Sequence, residues 1–335
     1  MAPRRRDPVE ARSDGSDDLY EVADWEVRSR VDWLAYWLYR ALVVVAKGVV
    51  IVAAFGILLA QFVLGGLGAV TDPVVGAFTL LSAVPALLLA AYVWHADVTT
   101  SEPLWLLVVT FLLGVLLAGF AGVANEYVGG PIRDAVPLLG PLLFFFLVVG
   151  PVEETVKLLA VRLVAYRSPR FDAVIDGAVY GAVAGLGFAT IENALYITRT
   201  TGATISAADA IGQAGGITFV RSLAGPGHVI YSAFAGYYLG LAKFNPDDAG
   251  PIVLKGLLIA AVIHGTYNTL AGVAPAVLVG LYGLSPFGAL FVFVLVFDGL
   301  FGLVLLRKLS AYEHAYVQTG SVSDDLTPER TEFDP

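Results

Sequence analysis

The residues able to do chemistry in this chain sit where apolar residues belong. Glu153, Glu154 and Lys157 interrupt the run PLLFFFLVVGPVEETVKLLAV, and Glu192 and Asn193 interrupt GAVAGLGFATIENALYI. His228 opens GHVIYSAFAGYYLGLA, and His264 with Asn268 lies in VLKGLLIAAVIHGTYNTLAGV. A charge at bilayer depth costs about 2.5–3.5 kcal/mol on the lenient insertion scale, so it persists only if paired or facing a wet cavity. Four successive apolar segments each carry such a group, and one shared polar site explains the set better than separate accidents.

In Glu153-Glu154-x-x-Lys157 the lysine is three and four residues from the acids, so it shares a helix face with them. One ion pair leaves one carboxylate over. Adjacent carboxylates in low dielectric do not both ionise cheaply, which suits the spare one to general-base work. The bland alternative is a salt bridge stapling two helices. Glu192 follows Gly185, Gly187 and Phe188, small residues that let a neighbouring helix approach; it reads as a second acid, an acceptor for a histidine or a partner for Lys157, against a plain interhelical contact. His228 follows Gly-Pro-Gly and is expected at a helix start, where a neutral imidazole is favoured. His264 and Asn268 are four apart, so both can donate into one cavity as an oxyanion hole requires, or simply bond a neighbouring helix. Asp176 with Tyr180 is an i,i+4 pair read as structural, and Asp298 is left without a role.

These residues need elements that cross a membrane. Of 335 residues 57% are hydrophobic, against about 45–50% in soluble domains. The expected fold is all-α, a polytopic bundle of about eight transmembrane helices near 42–64, 74–94, 104–124, 138–166, 174–198, 226–243, 251–272 and 286–306. The fourth is long and the sixth short, and 199–225 reads as the longest loop. Residues 1–23 read as a disordered charged arm, 24–40 as an interfacial amphipathic segment with Trp25, Trp33 and Trp37 among arginines, 41–309 as the membrane domain with its core at about 140–272, and 310–335 as a disordered acidic tail. Lys and Arg near the span ends favour both termini in the cytoplasm: Arg162, Arg167, Arg170, Lys243, Lys255, Arg307 and Lys308 fall inside, with Arg133, Arg199 and Arg221 outside. In that topology the polar groups meet in the outer half of the bilayer.

The net charge of −9 and the 15 Arg against 5 Lys hint at a halophilic source and leave no polybasic patch for nucleic acid. Arg4, Arg5 and Arg6 are followed by acids, which supports neither a secretory nor a twin-arginine signal. There is no Cys, which removes thiolate catalysis, thiolate metal sites and disulfides. HExxH, the rhomboid Gly-x-Ser-Gly and the presenilin Gly-x-Gly-Asp are all missing.

EETVK at 153–157, FDAVIDGAVYGAVAGLGFATIENALYI at 171–197, GHVIYSAFAGYYLG at 227–240 and HGTYN at 264–268 together resemble the PrsW family of intramembrane proteases. That family is distantly related to the CAAX prenyl endoproteases and the Abi proteins. The resemblance implies a membrane-embedded peptidase of the cell membrane that cuts a membrane-anchored protein, such as an anti-sigma-like regulator, on the extracytoplasmic side. It maps the family's double Glu to Glu153 and Glu154, its Phe-x-x-x-Glu-Asn to Phe188, Glu192 and Asn193, and its histidines to His228 and His264, with Asn268 a turn on. The CAAX branch has His where this chain has Glu192, so roles do not transfer from it position by position.

The reading taken is a glutamic-type peptidase with no cofactor. Glu153 or Glu154 activates water, His264 and Asn268 stabilise the oxyanion, Lys157 fixes the acids, and Glu192 orients a histidine or assists protonation of the leaving amine, with Asn193 and His228 also counted in the site. The alternatives are a Zn²⁺ enzyme using His228, His264 and Glu154, and a proton-coupled transporter or silent scaffold.

Overall fold

The computed structural model describes residues 18, 26–61, 72–99, 101–137, 139–201 and 207–325. Contacts divide the chain into two compact units, residues 1–56 and 57–335. Most of helix α1 (Arg30–Gln61) belongs to the first. Its start is fixed by a reciprocal cap: Asp32 accepts from the Ser29 N–H at 2.7 Å, and the Asp32 N–H donates to Ser29 Oγ at 3.0 Å. Residues 30–40 therefore continue directly into the span. The arm expected at 1–23 lies outside the described residues apart from Asp18, as do residues 24–25.

The second unit is built from α2 (Pro73–His95), α3 (Leu104–Ala124), a π-helical turn (Asn125–Gly129), α4 (Gly130–Ala135), α5 (Gly140–Phe144), a second π-helical turn (Phe145–Val149) and α6 (Gly150–Leu163). Then come α7 (Val174–Thr201), α8 (Ala207–Lys243), α9 (Ala249–Ala271), α10 (Ala274–Tyr282) and α11 (Pro286–Asp325). No strand occurs among the described residues, as the all-α expectation requires. Six helices among them are long and apolar enough to cross a membrane: 30–57, 73–95, 104–135, 174–201, 246–271 and 286–318. Of the eight spans expected, the fourth is broken by the second π-helical turn and the sixth is diluted by Gly, Tyr and charged residues. Outward side chains such as Leu295, Leu300 and Leu303 are more than half exposed, as a lipid-facing surface requires.

Three expectations need correction. Residues 199–225 are not a long loop: α7 runs to Thr201 and α8 begins at Ala207. Pro226 is inside α8, so His228 is not at a helix start and the short sixth span becomes a 37-residue helix. Nor does irregular chain begin at 310. Leu309 is buried and Tyr312 packs on the core, which carries α11 on to Asp325; residues 326–335 lie outside the described residues.

α7 is the central helix, buried along most of its length. Its Gly177, Gly181 and Gly185, four apart, form one face against α8. A Cβ at Gly177 or Gly181 would strike the carbonyl oxygen of Gly236 or Ser232, and one at Gly185 that of His228. Gly150 at the start of α6 meets Ala261 of α9 in the same way. These contacts bring backbones close enough for short polar side chains to reach across. An aromatic stack of Tyr231, Tyr267, Phe293 and Phe297 then locks α8, α9 and α11 together, with ring centroids 5.6–6.3 Å apart.

Candidate active site

The glycine contacts decide where the polar groups meet. One turn beyond the Gly150–Ala261 crossing, Glu154 of α6 faces His264 of α9, with Oε1 2.8 Å from Nδ1. From the Gly185–His228 crossing, two turns along α7, Glu192 reaches His228, with Oε2 3.0 Å from Nε2. Lys157, one turn after Glu154, lies between the two histidines' helices. Its Nζ donates to Glu154 Oε1 at 2.7 Å, approaches His228 Nδ1 at 2.8 Å and lies 3.7 Å from Glu153 Oε2. The ammonium also sits 4.3 Å from the centre of the Phe188 ring, a cation–π contact in a desolvated place.

Glu153, Glu154, Lys157, Asn193, His228 and His264 are all buried. Glu154 is fully engaged: Lys157 and His264 take Oε1, and Ser232 Oγ donates to Oε2 at 3.3 Å. Glu153 is different. Its Oε1 accepts from Asn125 Nδ2 at 3.0 Å, while its Oε2 is buried with no hydrogen-bond partner, 3.8 Å from His264 Nε2. One ligand atom each from Glu153, His228 and His264 lies within 4.8 Å of the other two. A burial this complete of an orphaned carboxylate oxygen beside two imidazoles is what a cation-binding or proton-transferring site looks like.

Seven of the eight expected site residues are thus brought into one network. Asn268, one turn beyond His264 and half-buried, makes no hydrogen bond to it among the described residues. Asn193 is a support: its Oδ1 accepts from Arg221 Nε at 2.8 Å and its Nδ2 donates to Ser82 Oγ at 3.0 Å. The third member of the two-histidine cluster is Glu153, where the sequence reading named Glu154. The reason is helical: adjacent residues point about 100° apart, so Lys157 and His264 hydrogen-bond one acid and stand 3.7 and 3.8 Å from Oε2 of the other.

Three contributors escape a reading of the sequence. Arg221 pairs with Glu192, the same carboxylate that holds His228. It is seven residues before His228 and so on the same face of α8, a signal hidden once Gly-Pro-Gly is taken as a break. Asn125 sits in a π-helical turn whose register no apolar periodicity reveals. Ser232 is one turn after His228. Glu153, Glu154 and Glu192 are set against Lys157 and Arg221, so the network holds one acid more than it holds bases.

The profile of the PrsW family intramembrane metalloproteases matches residues 102–299. Protease PrsW of Bacillus subtilis (strain 168) is 32% identical over 201 residues, which is 57% of this chain and 82% of the relative. Protease PrsW of Geobacillus kaustophilus is 32% identical over 201 residues, covering 58% of this chain and 80% of the relative. The Clostridioides difficile protein of that name is 29% identical over 199 residues, 56% of this chain and 76% of the relative. No solved structure matches the chain.

Proposed function

Since the chain belongs to the PrsW family of membrane-embedded proteases, we propose that it hydrolyses a peptide bond at the Glu153–His228–His264 cluster. It is a multi-pass membrane protein with a protein substrate. The observation that carries the assignment of the site is Glu153 Oε2, buried, without a hydrogen-bond partner, and beside both histidines.

The residue types present fit a zinc-type ion once the Lys157 ammonium, 2.8 Å from His228 Nδ1, turns aside, because Glu192 already holds that ring's Nε2. Two imidazoles and a carboxylate are an accepted ligand set for a hydrolytic centre. The second shell fits as well: Asn125 fixes Glu153, Glu154 holds His264 through Nδ1, and Glu192 with Arg221 holds His228. Glu153, His228 and His264 would hold the ion, which when bound polarises a carbonyl and acidifies water. The remaining work belongs to the chain. Lys157 balances Glu154 and keeps it an acceptor for His264. Arg221 and Asn193 fix Glu192, which orients the His228 ring. Asn268, one turn beyond His264 on α9, donates to the developing oxyanion.

A second reading rests on the same unbonded Glu153 oxygen. Glu153 then takes the proton from the attacking water itself, with the Lys157 ammonium 3.7 Å away as its counter-charge. In both readings the cut lies toward the extracytoplasmic face. Arg162, Lys243, Lys255 and Lys308 cluster with tyrosines at one end of the helices, the pattern of a cytoplasmic boundary. Glu192 is 18 residues from Val174 and His264 is 15 from Ala249, which at the helical rise is about 22–27 Å from that end of a ~30 Å core. A single-span, membrane-anchored regulator of the anti-sigma kind is the proposed substrate class.

The test uses purified protein in detergent with single-span substrates, wild type beside Glu153→Gln and Glu154→Gln. Glu153→Gln should abolish cleavage, and Glu154→Gln should reduce it about 10–100-fold by loosening His264. Loss on chelation with recovery on adding zinc selects the metal reading, and cleavage that survives chelation selects the glutamate reading. Full activity in Glu153→Gln sinks both.

A further inference from the structure

At the other end of α7, about 24 Å from Glu192 by helical rise, lies a second polar cluster that the hydrolytic site does not use. The connection from α2 to α3 passes Asp97 and Glu102, and Asp176 stands in the first turn of α7. One carboxylate oxygen from each lies within 4.8 Å of the other two. Part of this is ordinary loop structure. Asp97 Oδ1 accepts from Thr99 N and Oγ1 at 2.8 and 2.7 Å, and Asp176 Oδ2 accepts from the N–H groups of Asp172 and Ala173 at 2.7 and 2.9 Å.

What loop structure leaves over is the informative part. Glu102 is 3% exposed, and neither of its oxygens has a hydrogen-bond partner. Asp97 Oδ2 is likewise buried and unpartnered. One turn along α7 from Asp176, the hydroxyl of fully buried Tyr180 also has no partner. No lysine or arginine pairs with the three acids among the described residues. Lys243, the nearby ammonium, is committed to the carbonyls of Tyr166 and Phe171 at 2.8 and 2.6 Å.

We propose that Asp97, Glu102 and Asp176 form a binding site for a hard divalent cation, which ties the α2–α3 connection to the first turn of α7. All donors are oxygens, the preference of calcium and magnesium rather than of zinc. Three oxygens around one calcium ion, at 2.3–2.6 Å each, stand about 3.2–4.5 Å apart, inside the 4.8 Å within which these three lie; the octahedral magnesium shell is tighter. Asp97, the least buried of the three, gives the ion a way in. Without a cation, burial and the neighbouring Asp97 push the Glu102 carboxyl up to about 9, so the rival state is a proton held between the two acids.

The experiment is titration of the full chain in detergent, after chelation, with terbium(III) as a luminescent calcium analogue. Calcium-dependent thermal unfolding runs in parallel. Every protein carries Glu153→Gln, so that the hydrolytic cluster adds nothing to either readout. The expected result is saturable terbium emission, competed by calcium, and a calcium-dependent rise in unfolding temperature. Apparent affinity should fall at least tenfold in Glu102→Gln and in Asp97→Asn. Gln mimics the protonated Glu102, so that variant folds if the carboxyl is neutral at rest; Asp97→Asn carries the test if it does not. Equal titrations in the parent and both acid variants, or no emission in the parent, overturn the proposal and leave the shared proton as the state of the pair.

Discussion

Replacing Gly185 with Ala tests whether helix proximity, rather than the polar residues alone, makes the site. The added Cβ would lie 2.9 Å from both the His228 carbonyl carbon and Ser232 Oγ, where ordinary contact begins near 3.4 Å. α7 and α8 must therefore separate locally by about 0.5 Å or more, since a packed interior has no slack. That shift stretches His228 Nε2–Glu192 from 3.0 Å and Lys157 Nζ–His228 Nδ1 from 2.8 Å toward the limit of a hydrogen bond. It also lengthens the Ser232–Glu154 contact, already 3.3 Å. Overpacking of this size costs about 1–3 kcal/mol of stability. Misplacement by a good fraction of an ångström costs about ten- to a hundredfold in rate. The assay is cleavage of a single-span substrate by folded protein, with unfolding followed in the same preparation. Gly216→Ala in α8 is the control, since its Cβ meets only Phe287 at 3.9 Å. A Gly185→Ala enzyme cutting at the wild-type rate would refute the reasoning, as would equal losses in both variants.

Lys157→Met should strand Glu154 in a dry interior and destabilise the fold by about 3–5 kcal/mol, read by denaturant titration. Lys157→Met with Glu154→Gln should recover most of that stability but not the cleavage, and a single variant as stable as wild type would count against the buried pair. Arg221→Ala should leave the protein folded and lower cleavage about 10–100-fold by freeing Glu192 from its role beside His228. Arg221→Lys should restore only part of the rate, because an ammonium cannot hold Glu192 and Asn193 with one planar fork; unaltered rates in Arg221→Ala would remove it from the site.

Much of the site was legible because the bilayer makes polar residues conspicuous. Glu153, Glu154, Lys157, Glu192, His228 and His264 stood out against apolar runs, and their convergence followed from the cost of burying each alone. What was not legible depended on helix register. Gly225-Pro226-Gly227 reads as a break by local propensity, yet α8 continues through it because both flanks pack against α2 and α7. Losing that continuity lost Arg221. The choice between Glu153 and Glu154 turned on which acid α9 meets, and that is fixed by the Gly150–Ala261 crossing, a tertiary contact. At the far end of the chain, Leu309 and Tyr312 hold α11 against the core among residues that look like the start of a polar tail.

The two π-helical turns have a consequence for how such chains diversify. Each fits one residue more into a turn than an α-helix does, and one residue corresponds to about 100° of rotation. Asn125 opens the first turn and Glu153 follows the second, so the hydrogen bond joining them relies on both insertions. Deleting any one residue between Phe145 and Val149 would leave every charged group in place in the sequence and swing Glu153 and Glu154 together away from His264. Competence in this scaffold is then a matter of residue count as well as residue kind. A relative that retains both acids and both histidines but lacks one position in that stretch would be expected to persist as an inert copy, disabled by spacing alone.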